Sequence, residues 1–185
     1  MSTASTGESK GPGRTRLLVL VALFGSLHGL LSAVPGVWGP SEVARSFVIF
    51  VESLEGIILG PRMGFISGSI GCILGRIIRP REEGLLLGIA FGMGEPVAAL
   101  VAGLMFRRKW HLAAFAFAVM LGTFLTDPLT WSARIPLWSI WDTLLAAFMI
   151  LPAHIAVRSA LEHRGDAKRL GPAVCLVAFV STEAD

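Results

Sequence analysis

Four carboxyl groups sit in stretches otherwise built from Leu, Ile, Val, Ala, Gly and Phe: Glu52, Glu55, Glu95 and Asp142. An ionisable side chain among such neighbours is costly, and is expected to face a bundle interior, a partner or a water-filled cavity. Glu52 and Glu55 are three apart and share one helix face. Glu95 lies between Gly94 and Pro96, and the proline, lacking an N–H, leaves a carbonyl of the preceding turn as an extra acceptor. Asp142 is one turn from Trp138 and adjacent to Trp141, with Arg134 one turn on the other side of Trp138. Aromatic planes beside a carboxylate suit a flat polar or cationic molecule. Glu95, Trp138 and Asp142 are therefore expected to contact a solute. Glu52 and Glu55 either do so too or pair with Arg45, Arg76 or Arg134, and His28 reads as a hydrogen-bonded interior histidine.

No reaction chemistry is visible. There is no G-x-x-x-x-G-K-[ST] phosphate loop, no H-E-x-x-H zinc motif and no G-x-S-x-G nucleophile elbow. Histidines stand alone at 28, 111, 154 and 163, and Cys72 and Cys175 lie apart in apolar surroundings. Neither a metal centre nor a disulfide framework is expected. The chain is expected to be no enzyme, to carry no cofactor and to bind no nucleic acid, since basic and aromatic residues are not interleaved.

The elements that must hold these acids are membrane helices. Only 16% of the 185 residues are charged and 54% are hydrophobic, with a mean hydropathy of +0.70. Soluble domains carry about 25% charged residues. Residues 1–16 are rich in Ser, Thr, Gly and Pro and read as a disordered tail. Apolar runs then predict six helices in a single membrane domain, residues 17–164: Leu17–Val34, Val43–Leu59, Met63–Ile78, Gly84–Phe106, Trp110–Thr126 and Leu137–Val157. A crossing needs roughly 17–25 residues, and the third run is the shortest. Leu17–Val34 is longer than the apolar part of a usual signal peptide and reads as a true first helix. Residues 165–185 form a tail whose apolar piece, Pro172–Val180, is too short to cross, and reads either as a lipid-facing tail or as the start of a seventh helix.

Six crossings put both termini on one side. With that side cytoplasmic, 11 of the 16 Lys and Arg lie inside, among them Arg62, Arg107, Arg108 and Lys109, as the positive-inside rule requires. Small residues mark the seams along which helices meet in lipid. Gly64, Gly68, Gly71 and Gly75 form a ladder on the third helix, and Gly84, Gly88 and Gly92 another on the fourth. On the first helix Ala22 and Ser26 are four apart, with Gly25 and Gly29 on a neighbouring face. That stripe is a candidate for docking a second membrane subunit.

The order and size of these parts resemble the substrate-binding membrane subunits, or S components, of energy-coupling-factor (ECF) vitamin importers. The likeness rests on Gly60-Pro61-Arg62-Met63-Gly64 through Gly68 and Gly71, similar to that family's Gly-Pro hairpin between helices two and three. It rests also on Ala22-x-x-x-Ser26, on the Arg107-Arg108-Lys109 stop, and on Leu144–Pro152 in the last helix. Ser26 departs from the second alanine usual in the docking stripe. The resemblance implies a cell-membrane protein that captures a small vitamin-like solute from outside. It would work with a transmembrane coupling subunit and two ATPases. The pocket it implies lies near Trp38, Glu95, Trp131, Arg134, Trp138 and Asp142, with Ala22 and Ser26 toward the coupling subunit. The alternative is a small scaffold of the cell-wall-elongation type, with seams but no pocket.

Overall fold

In a chain this apolar, each backbone N–H and C=O must find its partner within its own segment, and a helix does so along its length. The computed structural model describes residues 13–34, 48–80, 84–126, 141–163 and 167–182. Every element among these is an α-helix: α1 (Arg14–Ala33), α2 (Ile49–Leu59), α3 (Pro61–Ile78), α4 (Leu85–Phe91), α5 (Gly94–Phe106), α6 (Trp110–Thr126), α7 (Trp141–Glu162) and α8 (Ala167–Thr182). By length and hydropathy α1 and residues Thr143–Glu162 of α7 are long enough to span a bilayer, while α5 and α6 are shorter apolar helices.

The distribution of side chains is the reverse of a soluble protein's. Leu18 and Phe115 are each 67% exposed and Phe148 77%, whereas His28, Glu52 and Glu55 are wholly buried. Water would penalise such a surface heavily, and lipid does not. This is a membrane protein.

Two close seams hold the bundle. Gly25 lies over the Ser67 carbonyl, Gly29 over that of Gly71, and Ser32 beside Gly75, so α1 and α3 run side by side in the same direction. A Cβ on Gly71 would fall 2.5 Å from that of His28, so no larger residue fits there. In the second seam α5 runs antiparallel to α3: Gly92 lies beside Arg76, Pro96 beside Gly68, and Gly103 beside Pro61. The turn between α2 and α3 follows from its two residues. Gly60 takes φ +82°, open mainly to glycine. Pro61 then occupies the first helical position, where its missing N–H costs nothing.

The structure corrects one expectation and decides another. The predicted fourth helix is broken at Gly92 and Met93 into α4 and α5. Pro96 has no N–H to give the Gly92 carbonyl four residues back; the Glu95 N–H, at 3.2 Å, and the Cys72 thiol, at 3.1 Å, donate to it instead. At the C-terminal end, of the two readings of Pro172–Val180, the structure has the helix rather than the lipid-facing tail. Gly171 and Pro172 shorten its apolar run, yet α8 packs inside the bundle. Its Ala173, Val177 and Val180 join Val101 and Met105 of α5, Phe117 of α6, and Ile150 and Val157 of α7 in one apolar core. Ser181 donates to the Ala178 carbonyl, so Ser53 of α2 donates to Ser181 across a 2.8 Å hydrogen bond.

The seams predict a sharp contrast among glycines. Gly71→Ala forces α1 from α3 and lowers stability by about 1–3 kcal/mol, whereas Gly122→Ala on α6, where an added Cβ meets nothing within 4 Å, leaves it unchanged. Thermal unfolding of both variants in detergent distinguishes them.

Candidate functional site

The seams bring four polar helix faces to one point. On α1, His28 and Ser32 are four apart and both turn inward. Glu55 comes from α2, Ser67 and Arg76 from α3, and Glu95 from the first turn of α5. His28 sits at the centre. Its Nδ1 is 3.1 Å from Glu55 Oε2 and its Nε2 2.9 Å from Glu95 Oε2. Glu95 Oε2 also accepts from the Ser32 hydroxyl at 3.0 Å, and its Oε1 from Arg76 Nη2 at 2.9 Å. Ser67 has two acceptors within reach, Glu55 Oε1 at 3.1 Å and the Val21 carbonyl at 3.2 Å, and one proton to serve them.

Arg76 also ties the cluster to the helix break, since its Nε donates to the Gly88 carbonyl at 3.2 Å. Four side chains, His28, Ser32, Ser67 and Arg76, hold Glu55 and Glu95 in place through these five contacts. Ser32, Arg76 and Glu95 retain a trace of exposure, at 7%, 5% and 4%, and His28, Glu55 and Ser67 none.

The hydrogen bonds fix a proton count. A carboxylate only accepts, and a neutral imidazole donates from one nitrogen. Both short contacts of His28 together therefore need one proton beyond a neutral ring and two carboxylates, held on the ring or on a carboxyl. With Arg76, that proton balances the two acids. Burying four ionisable groups is tolerable only when charge and hydrogen bonds close in this way.

The residues expected from the sequence to carry function fall in several places. Glu95 was expected to touch solute, but its carboxylate is engaged by His28, Ser32 and Arg76. Glu55 pairs internally, as one of its two readings held, though with His28 rather than an arginine. Glu52 is buried one turn earlier on α2. Trp38, Trp131, Arg134 and Trp138 lie outside the described residues, as does the side chain of Asp142 in the first turn of α7. Of the four docking residues, Ala22 and Ser26 are exposed. Gly25 and Gly29 are buried against α3 and are spent on intramolecular packing. Ser32 and Ser67 were not foreseen, and His28 was read only as an interior histidine. The inward pair His28 and Ser32, at helical spacing, was the available signal. Among the described residues no group of three potential metal ligands converges.

The chain matches no family model and no solved structure. Among curated proteins it is similar to BioY, named as a probable biotin transporter, of Pyrococcus horikoshii. The two are 36% identical over 93 residues, which cover 46% of this chain and 56% of that protein. The likeness thus spans little more than half the length of the relative.

The cluster predicts graded losses of stability. Glu95→Ala strands His28, Ser32 and Arg76 and costs about 3–5 kcal/mol, as when one partner of a buried ion pair is removed. Ser67→Ala, which removes one neutral donor, costs about 1 kcal/mol. Unfolding in detergent reports both, and equal effects would contradict the arrangement.

Proposed function

We propose that this chain is the solute-binding S component of an ECF-type importer and that its solute is biotin. The observation that carries the reading is the 36% identity to the BioY protein. The inside-out surface and the Gly60-Pro61 hairpin support it. So does the charge distribution: Arg14, Arg16, Arg62, Arg107, Arg108, Lys109, Arg158, Lys168 and Arg169 belong to the helix ends and turns at one end of the bundle, which we assign to the cytoplasm. The six-crossing topology, with α8 as an additional element, belongs to this proposal.

The excess of acids over arginines near the expected pocket hints at a cationic or zwitterionic solute, unless the acids pair internally. That hint disappears once Glu55 and Glu95 are held by His28 and Arg76. It leaves room for an anionic one, and biotin carries a carboxylate. Trp38, Trp131, Arg134, Trp138 and Asp142 remain the proposed solute contacts on sequence grounds. Glu95 acts behind them, fixing α5 to α1 and α3. The coupling subunit and its two ATPases would supply the energy for release, with Ala22 and Ser26 as the exposed part of the docking face.

Titration of biotin into the detergent-purified protein tests the reading directly. One saturable site per chain is expected; a monodisperse protein that binds no biotin returns the scaffold alternative. A second experiment separates binding from coupling. Ala22→Trp with Ser26→Trp abolishes biotin uptake by cells while binding persists, because both residues lie on the exposed face of α1. Normal uptake by that variant would remove Ala22 and Ser26 from the interface.

A further inference from the structure

The end of the bundle that gathers the positive charge also has a local structure of its own. α5 ends at Phe106, and Lys109 N–H reaches back to the Leu104 carbonyl at 2.8 Å while Arg108 N–H reaches that of Met105 at 3.0 Å. Arg108 itself has φ +60°, in the capping position usually given to glycine. Beside this turn lies the end of α7: the charge of Arg108 acts on the carboxylate of Glu162, which accepts from Arg158 Nε at 2.8 Å. From the start of α8, Arg169 Nη1 comes within 3.2 Å of both Ser159 Oγ and His163 Nδ1. Arg108, Lys109, Arg158, Lys168 and Arg169 are all exposed here, and Glu162 is the one described acid among them.

Directly below these cations the surface turns apolar. Trp110 follows the turn, 36% exposed, with its ring 5.7 Å from that of His154 on α7. Around it, within about a turn and a half along each helix, Leu112 and Phe115 of α6, and Leu151 and Ile155 of α7, are 43%, 67%, 53% and 60% exposed. A ligand that fits this sequence of surfaces has a phosphate at one end and an alkyl chain at the other. An indole between them sits where headgroup meets hydrocarbon.

We propose that the α5–α6 turn, the end of α7 and the start of α8 form a binding site for an anionic phospholipid. Its headgroup phosphate is held by Arg108 and Arg169, and its acyl chain lies along Leu112, Phe115, Leu151 and Ile155. Arginine suits this role, since its planar fork meets two phosphate oxygens at once. A free phosphate would use only the cations and leave the apolar wall unexplained. An acidic protein segment would do the same. The site uses none of the proposed solute contacts and rests only on the membrane placement of the chain, so its test stands apart from biotin binding.

Native mass spectrometry of protein released from nanodiscs with equal phosphatidylglycerol and phosphatidylcholine tests the site by counting retained lipids. The wild type retains phosphatidylglycerol preferentially. Arg108→Gln with Arg169→Gln loses that preference, by about fivefold for each cation removed. Arg108→Lys with Arg169→Lys keeps most of it, and Arg79→Gln at the opposite end of the bundle changes nothing. Millimolar inorganic phosphate leaves the lipid bound. Equal retention of the two lipids by the wild type overturns the proposal whether or not any variant folds. So does an undiminished preference in the glutamine variant, an equal loss in Arg79→Gln, or displacement by inorganic phosphate.

Discussion

Two carboxylates, a guanidinium and an imidazole meet where lipid surrounds the bundle, and the rest of the molecule is arranged so that they close on one another. An isolated charge at that depth costs several kcal/mol. The pairing of His28 with Glu55 and Glu95, and of Glu95 with Arg76, requires four helices to be in register at once. Displacing any of α1, α2, α3 or α5 leaves a buried charge exposed to hydrocarbon. The cluster thus stabilises one arrangement chiefly by penalising the others.

The small residues have their meaning in that requirement. Side chains as short as Ser32 reach Glu95 only if α1 and α3 nearly touch, and Gly25, Gly29, Gly71 and Gly75 let them do so. The break before α5 serves the same end. It turns Glu95 inward in the first turn of a new helix. The carbonyls beside the break are then met by Cys72 and Arg76 from α3. Break, glycine ladder and charge cluster form one device.

Much of this was legible in the sequence, and the reasons differ by element. Trp110–Thr126 reads as a helix at its observed ends, because the Arg107–Lys109 run and the following Asp-Pro bound an unbroken apolar stretch. The Gly60-Pro61 turn follows from backbone chemistry alone. The break at Gly92 was written in Gly92-Met93-Gly94-Glu95-Pro96, but hydropathy averages over such a feature. The end of the chain reads as either a tail or the start of a helix, because the buried stripe of α8, Ala173, Val177, Val180 and Ser181, needs neighbours from α2, α5 and α7 to be recognised. His28 was underweighted for a similar reason: its partners lie 27 and 67 residues away. Spacing along a chain reveals which residues share a helix face, and it does not reveal which faces meet.

For function the consequence is a division of labour. Glu95, expected from the sequence to contact solute, anchors α5 to α1 and α3 through His28, Ser32 and Arg76, and the solute reading rests on likeness to a biotin transporter and on residues outside this cluster. The most direct test of the anchor is a double-mutant cycle between His28 and Glu95, using His28→Ala, Glu95→Ala and both together in a fixed detergent. The account predicts strong coupling, with the double variant at least about 1.5 kcal/mol more stable than the sum of the single losses implies. Losses that add to within about 0.5 kcal/mol would contradict it, because the two side chains would then not share one buried charge cluster.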